Sequence, residues 1–342
     1  LNYEGEKPLM LELAKQSNEV RNGVFSNTAV KLAMSPTIIE KDFWVCVMLN
    51  IIFHHSDYKT SFCFKGGTSL SKGFHAIERF SEDIDLIMDW RLLEYSRTEP
   101  WDERSNTQQV KFNKEANQKA VSFLRDKFMP HLKELTSQYV DGDFSFEMAP
   151  DEEPTIIFNY PRLYERNKSV LQEIRLEIGP LAAWTPTITK PITPYVAEVY
   201  PGSFKNKSTA ILMVESKRTF WEKVTILHKE AHRTKNKTPQ RYSRHYYDVY
   251  MLFNHDDHHE MLDDTELLYK VVEFKKKFYR DNSAEYDDAI PSKIQLLPNQ
   301  TQLKNLEDDY ESMKEMFFSE PISFDIILKG LSELTSEIRS LS

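Results

Sequence analysis

The sequence predicts an α+β fold, a small mixed sheet with helical additions before and after it. Three observations lead there. Runs that read as strands are confined to residues 61–88 and 143–214. Helical spacing dominates residues 8–53 and almost everything after 218. Glycine is scarce, 9 in 342 residues, which suits a helix-rich chain with few tight glycine turns.

The elements follow in order. Residues 8–33 alternate apolar and charged positions with helical spacing, and Ser35-Pro36 breaks the run and opens a new helix. That helix carries Glu40, Lys41 and Asp42 and continues through an apolar run to Phe53. Residues 61–65 read as a short buried strand, with Gly66-Gly67 directly after it. Leu70, Phe74 and Ile77 fall on one face of a short helix, and a second strand runs from Asp83 to Met88. A charged helical stretch spans 106–139, residues 143–148 and 155–160 form a strand pair, and 171–178 alternate clearly. The segment 180–207 reads as loops with one short extended piece, and 210–214 as a last strand. Helices are expected near 219–233, 241–254, 264–280, 301–318 and 322–340, with a connector at 281–300. The resulting organisation is an N-terminal helical segment (1–60), a core (61–215) and a C-terminal helical domain (216–342).

Composition narrows the function. With 44 basic against 53 acidic residues, a net charge of −9, the chain is not built to wrap nucleic acid non-specifically. Cys46 and Cys63 lie in apolar surroundings without neighbouring His or Cys, which argues against a disulfide scaffold or a zinc site and for a reducing cytoplasm. The longest apolar stretch, Phe43 to Phe53, is too short to span a bilayer, so no membrane partner is expected. No signal-peptide pattern opens the chain, and Leu1 in place of Met suggests a trimmed start.

The strongest local signal is Gly66-Gly67-Thr68-Ser69 followed by Arg79-Phe80-Ser81-Glu82-Asp83-Ile84-Asp85-Leu86. Alternate side chains of a strand share a face, so Asp83 and Asp85 point the same way while Ile84 and Leu86 enter the core. Two carboxylates held that closely repel unless a cation sits between them, and a hard divalent ion is the usual partner. The glycine pair lets backbone N–H groups approach a phosphate, the helix end adds partial positive charge, and Thr68 and Ser69 offer hydroxyl donors.

The run Phe64-Lys65-Gly66-Gly67-Thr68-Ser69-Leu70-Ser71-Lys72, with Arg79 to Leu86, closely resembles the first motif of the AbiEii/AbiGii toxin family, within the polymerase-β-like nucleotidyltransferase superfamily. Glu40-Lys41-Asp42-Phe43-Trp44 resembles the helix that precedes this motif, and the likeness runs from about residue 38 to 255. It implies a polymerase-β-like core, Mg²⁺ (or Mn²⁺) on Asp83 and Asp85, and an NTP bound by Gly66, Gly67, Thr68, Ser69 and Lys72. It also implies a third carboxylate from a later strand. Glu177, near the C-terminal end of Glu173-Ile174-Arg175-Leu176-Glu177-Ile178, is the choice and Glu173 the rival, while Arg175 pairing with both glutamates on an exposed face is the plain alternative.

Two later segments complete the resemblance. In Phe220-Trp221-Glu222-Lys223-Val224, Lys223 lies off the apolar face formed by Phe220, Val224, Leu227 and Ala231, free to reach a phosphate, and the Glu-Lys pair resembles a motif whose lysine contacts the nucleotide. In Ser243-Arg244-His245-Tyr246-Tyr247-Asp248, His245 stands where the family often has Asp, so only Asp248 carries over. Asp248 either orients Lys223 across the helix pair or pairs with Arg244, and His245 reads as structural.

Residues 216–244 gather Lys217, Arg218, Lys223, Lys229, Arg233, Lys235, Lys237, Arg241 and Arg244 against only Glu222 and Glu230, either a polar loop or a surface for the phosphates of an RNA acceptor. The resemblance implies NMP transfer from an NTP to an acceptor hydroxyl such as a tRNA 3′ end, a toxin role, and a cognate antitoxin. Transfer to a protein hydroxyl and a non-catalytic nucleotide-binding regulator are the alternatives.

Overall fold

A computed structural model describes residues 10–151, 153–165, 171–233 and 239–341. Their contacts divide the chain into two compact units. One comprises the residues up to Gly73 with Phe80–Met213, the other Phe74–Arg79 with the residues from Val214 on.

The first unit opens with α1 (Met10–Ala14) and α2 (Asn18–Leu32), separated where Ser17 accepts the Val20 N–H as an N-cap. The helices expected within 8–33 are these two. In α3 (Pro36–Asn50), proline stands in the first turn, where its missing N–H costs nothing, and a π-helical turn, Ile51–His55, extends the helix. Next come β1 (Phe62–Lys65), α4 (Gly66–Lys72) and β2 (Ile84–Met88). The helix expected to continue through Ile77 stops at Lys72. Gly73 lies against Met213, and His75 adopts a left-handed φ of 53°, so 74–79 leave the helical path.

Further along are α5 (Asn106–Phe123), opened by a capping box of Ser105 and Gln108, and α6 (Met129–Tyr139). A π-helical turn, Leu124–Phe128, joins them just before Pro130, a residue that cannot donate to the regular ladder. Strands β3 (Ser145–Met148), β4 (Thr155–Asn159), β5 (Ile174–Gly179) and β6 (Thr187–Ile192) follow, then α7 (Tyr195–Val199) and β7 (Thr209–Val214). The short extended piece expected in 180–207 is β6, and α7 is an addition that a five-residue helix is too short to announce by periodicity.

The strands form one seven-stranded mixed sheet in the order β3-β4-β5-β2-β1-β7-β6. Strand β2 is antiparallel to β1 and parallel to β5, and β1 is parallel to β7. Central β1 and β2 are apolar on both faces except near Asp85, as strands covered on both sides must be. By contrast β5 alternates, with Ile174, Leu176 and Ile178 buried and Glu177 exposed.

Helix α3 packs against α2 and α7 and is buried along nearly its whole length, including Glu40, Lys41 and Asp42. Such charges require partners. Glu40 accepts the Leu163 N–H at 2.7 Å, and Asp42 accepts the Tyr195 N–H at 2.7 Å. The ammonium of Lys41 donates to Glu82 at 2.8 Å and to the Leu171 carbonyl at 2.6 Å.

In the second unit are α8 (Ser216–Ala231), α9 (Arg244–Phe253), α10 (His258–Asp263), α11 (Thr265–Phe278), α12 (Gln300–Ser312) and α13 (Phe324–Ser340). Five of these match expected helices, and α10 is extra. The connector at 281–300 holds three short 3₁₀ turns. The segment Phe74–Arg79 is fastened here by an antiparallel bridge from Arg79 to Phe317.

Burial pushes the Glu40 carboxyl up from 4.5 to about 7, against the lowering effect of the Leu163 N–H. The folded state then holds a proton that the unfolded chain releases, so stability falls as pH rises from about 4.5 to 7 and is level above that. Glu40→Gln should remove this slope, leaving the variant more stable than the parent at pH 8 by about 2–3 kcal/mol relative to their difference at pH 4.5. Urea denaturation at the two pH values measures it, and parallel pH profiles would refute it.

Candidate active site

The glycine turn and the aspartate strand meet because β1 leads into α4 while lying antiparallel to β2, with Lys65 opposite Asp85. Gly66 has φ +84°, and a Cβ built on it would fall 1.9 Å from Asp85 Oδ2 and 2.6 Å from Asp85 Cγ. The Asp85 carboxyl therefore rests directly against the Gly66 backbone, in space that only glycine leaves open. The Thr68 hydroxyl donates to the Asp83 carbonyl at 2.5 Å, tying α4 to the residue that begins the acidic pair. Asp83 and Asp85 are half-buried, while Glu82, Ile84 and Leu86 between and beside them are buried, the alternation of one shared face.

Parallel pairing of β2 with β5 sets Glu177 opposite Asp85. Residues opposite one another project to the same face. Glu173 precedes β5 and has no such position. Arg175 lies 3.8 Å from both Glu177 and Asp151, so the pairing of Arg175 with an acid on the sheet face is also present.

Three side chains expected at the nucleotide have partners inside the protein. The hydroxyls of Thr68 and Ser69 are not free donors for a phosphate. Both residues are buried, and Ser69 donates to the Gly66 carbonyl at 2.9 Å. They brace the turn from inside. Lys72, expected to contact the nucleotide, is also buried, its ammonium 2.8 Å from Asp42. Burial alone would lower its pKa, but Asp42 outweighs that and holds it above the ordinary lysine value. Lys72 thus spends its charge fixing α4 to α3. A small cavity lined by Asp42, Thr68, Ser71, Lys72, Ser81 and Tyr195 lies at this junction.

A separate charged cluster occupies the second unit. Asp248 is completely buried. Its Oδ2 lies 2.8 Å from Lys223 Nζ, and Arg79 grips it with two hydrogen bonds, Nε to Oδ1 at 2.7 Å and Nη2 to Oδ2 at 2.8 Å. Burial would raise the carboxyl's pKa, but the Arg79 and Lys223 charges hold it well below the ordinary range. Burial lowers the Lys223 pKa, with Asp248 opposing. Lys223 is therefore not an open lysine. It is buried and aimed by Asp248 across the α8–α9 pair, and Asp248 takes Arg79 as its second partner. Sequence reasoning missed Arg79. Its position just before the Phe80–Leu86 run was visible, but a partner 169 residues away was not. His245 is half-buried beside this cluster, and desolvation with the Lys223 charge drives its pKa well below the ordinary value, consistent with a structural residue.

Much of the basic stretch is paired with acids, two of them distant in sequence and two on the same helix or just after it. Lys217 pairs with Asp264 at 3.1 Å, Arg218 with Glu222 at 3.0 Å, Lys229 with Asp281 at 2.8 Å and Arg233 with Glu230 at 2.5 Å. Lys235 and Lys237 lie outside the described residues.

Against this geometry, the family model for the nucleotidyl transferase AbiEii toxin, type IV toxin–antitoxin system, matches residues 49–330. The chain belongs to the AbiEii family. Membership makes it a nucleotidyltransferase-type toxin by family, and the type IV system implies a cognate antitoxin. Among solved structures, JHP933 from Helicobacter pylori is 15% identical over 90% of this chain and 99% of its own, with a TM-score of 0.35. No curated protein matches. Among the described residues of this AbiEii protein, no helix is long and apolar enough to cross a membrane.

Two outcomes follow. Gly66→Ala should cost about 1–3 kcal/mol, because a methyl group there collides with Asp85 at an unfavourable φ. Gly23→Ala, on open α2 surface, should be neutral or slightly stabilising. Equal thermal shifts for the two would contradict the close approach. Asp248→Ala should cost about 3–5 kcal/mol in chemical denaturation by stranding two buried cations, and a loss below about 1 kcal/mol would show that the cluster relaxes.

Proposed function

We propose that this AbiEii protein transfers a nucleoside monophosphate from an NTP to an acceptor hydroxyl and releases pyrophosphate. The observation that carries the proposal is the seating of Asp85 on the Gly66 turn with Glu177 opposite it on β5. The donor set of Asp83, Asp85 and Glu177 is all carboxylate oxygen, which suits Mg²⁺ or Mn²⁺ better than a soft ion. When bound, such an ion would screen the phosphates and favour the ionised acceptor hydroxyl. The protein's own part is positioning. Ion pairs from α3 and hydroxyls buried in α4 hold the turn and the acidic strand in fixed relation, and fixed charges cost no reorganisation during reaction. The unit β1-α4-β2 with β5 alongside supports reading this sheet as the polymerase-β-like core that the family resemblance implies. Lys223, held by Asp248, is proposed to counter charge on the leaving pyrophosphate, as the family motif implies.

The acceptor we favour is RNA, with a tRNA 3′ end as the form the family resemblance suggests. The neutralised basic residues of α8 give a protein hydroxyl a specific argument of its own.

Incubation of the chain with each α-labelled NTP, Mg²⁺ and cell extract tests both. Label that is RNase-sensitive supports RNA, and protease-sensitive label supports protein. Asp83→Asn and Asp85→Asn should each reduce transfer at least about a thousandfold with the melting temperature near that of the parent. Undiminished transfer by either variant, or nucleotide binding with no transfer to any acceptor, would overturn the enzyme assignment.

A further inference from the structure

The second unit holds a cluster of metal-ligating side chains that the nucleotidyl-transfer reading does not use. His258 and His259 open α10, and Glu337 lies near the end of α13. One donor atom from each falls within 4.8 Å of the others. We propose that these three residues bind a late first-row divalent ion of the zinc class and staple α10 to α13.

The histidine geometry supports binding rather than mere proximity. His258 Nδ1 is 3.0 Å from the His255 carbonyl oxygen. A carbonyl can only accept, so Nδ1 carries the proton and Nε2 keeps its lone pair. That tautomer, with the second nitrogen anchored to the backbone, is the form in which ligating histidines are held. The Phe253 ring meets His258 edge-on at 5.8 Å and limits its rotation. The His259 ring lies 3.8 Å from that of His258, leaving both imidazoles turned toward one region. Among the described residues the Glu337 carboxylate makes no hydrogen bond or ion pair, although it is only half-exposed.

The donor chemistry selects the ion. Imidazole nitrogen favours zinc, nickel, cobalt or copper, whereas Mg²⁺ prefers oxygen and keeps its waters. This site and the carboxylate set of Asp83, Asp85 and Glu177 therefore take different metals. Two neutral imidazoles and one carboxylate leave a divalent ion with a single net positive charge, tolerable at a partly exposed position. Ligands of a tetrahedral ion at about 2.1 Å lie about 3.4 Å apart. The donors must close by roughly an ångström, within reach of side-chain rotation because His259 is exposed and the other two are half-exposed. Three protein ligands leave one position for water.

Occupancy would stiffen a defined part of the second unit. Helix α10 packs on α8, which carries Lys223, and α13 packs on α9, which carries Asp248. An ion joining α10 to α13 closes that ring of helices. Its role is structural and does not depend on the nucleotidyl-transfer assignment.

The full chain, stripped with chelator and dialysed, is titrated with Zn²⁺ and with Co²⁺. The expected result is a saturable site giving cobalt d–d bands without thiolate charge transfer, together with a rise of several degrees in melting temperature. His259→Ala and Glu337→Gln should keep the metal-free melting temperature and lose that site's affinity by at least about tenfold. His232→Ala, at a histidine pair elsewhere in the unit, should bind as the parent does. Absence of saturable Zn²⁺ uptake, or uptake and stabilisation unchanged in His259→Ala and Glu337→Gln, would overturn the proposal. A thiolate band would do so as well, by assigning the metal to a cysteine.

Discussion

The contact between the Asp85 carboxyl and the Gly66 backbone sets the geometry on which the candidate active site depends. A carboxylate can sit that near a helix start only where no side chain intervenes and where the chain can turn through a positive φ. Once it does, the antiparallel β1–β2 register, the start of α4 and the face shown by Asp83 are linked to one another. The Thr68 hydroxyl on the Asp83 carbonyl strengthens this link from the other side. The turn and the acidic pair are consequently one structural object, although seventeen residues lie between Gly67 and Asp85.

Buried charge performs the supporting work. Lys41 with Glu82 and Lys72 with Asp42 place two buried ion pairs around α3. Isolated pairs of this kind add little net stability, since desolvation offsets attraction, but an ion whose partner is missing is costly. What they do is tie α3 to α4 and to the residues that lead into β2. The second unit repeats the device with Asp248 between Lys223 and Arg79.

AbiEii membership gives these arrangements a chemical setting. Nucleotidyl transfer asks little covalent chemistry of a protein and much fixed placement of charge. A scaffold in which hydroxyls are turned inward onto backbone carbonyls, and lysines and an arginine onto buried acids, supplies such fixed placement.

Strand and helix identities were legible in the chain because periodicity is local. The alternation of 171–178, the strand–glycine–helix–strand order at 61–88 and most helices after 218 could be read from neighbouring residues alone. The alternating burial of Asp83, Ile84, Asp85 and Leu86 was legible for the same reason. What could not be read depends on partners remote in sequence. The end of α4 at Lys72 comes with Gly73 set against Met213 and a left-handed His75, neither announced by periodicity. The inward turn of Lys72 and of the Thr68 and Ser69 hydroxyls follows from Asp42 and from carbonyls that folding brings close. The neutralisation of Lys217 and Lys229 requires Asp264 and Asp281, and the grip of Arg79 on Asp248 spans 169 residues. Local pattern fixes which way a side chain faces along its own element, but whether a charge there is free or matched is decided by what the fold sets against it.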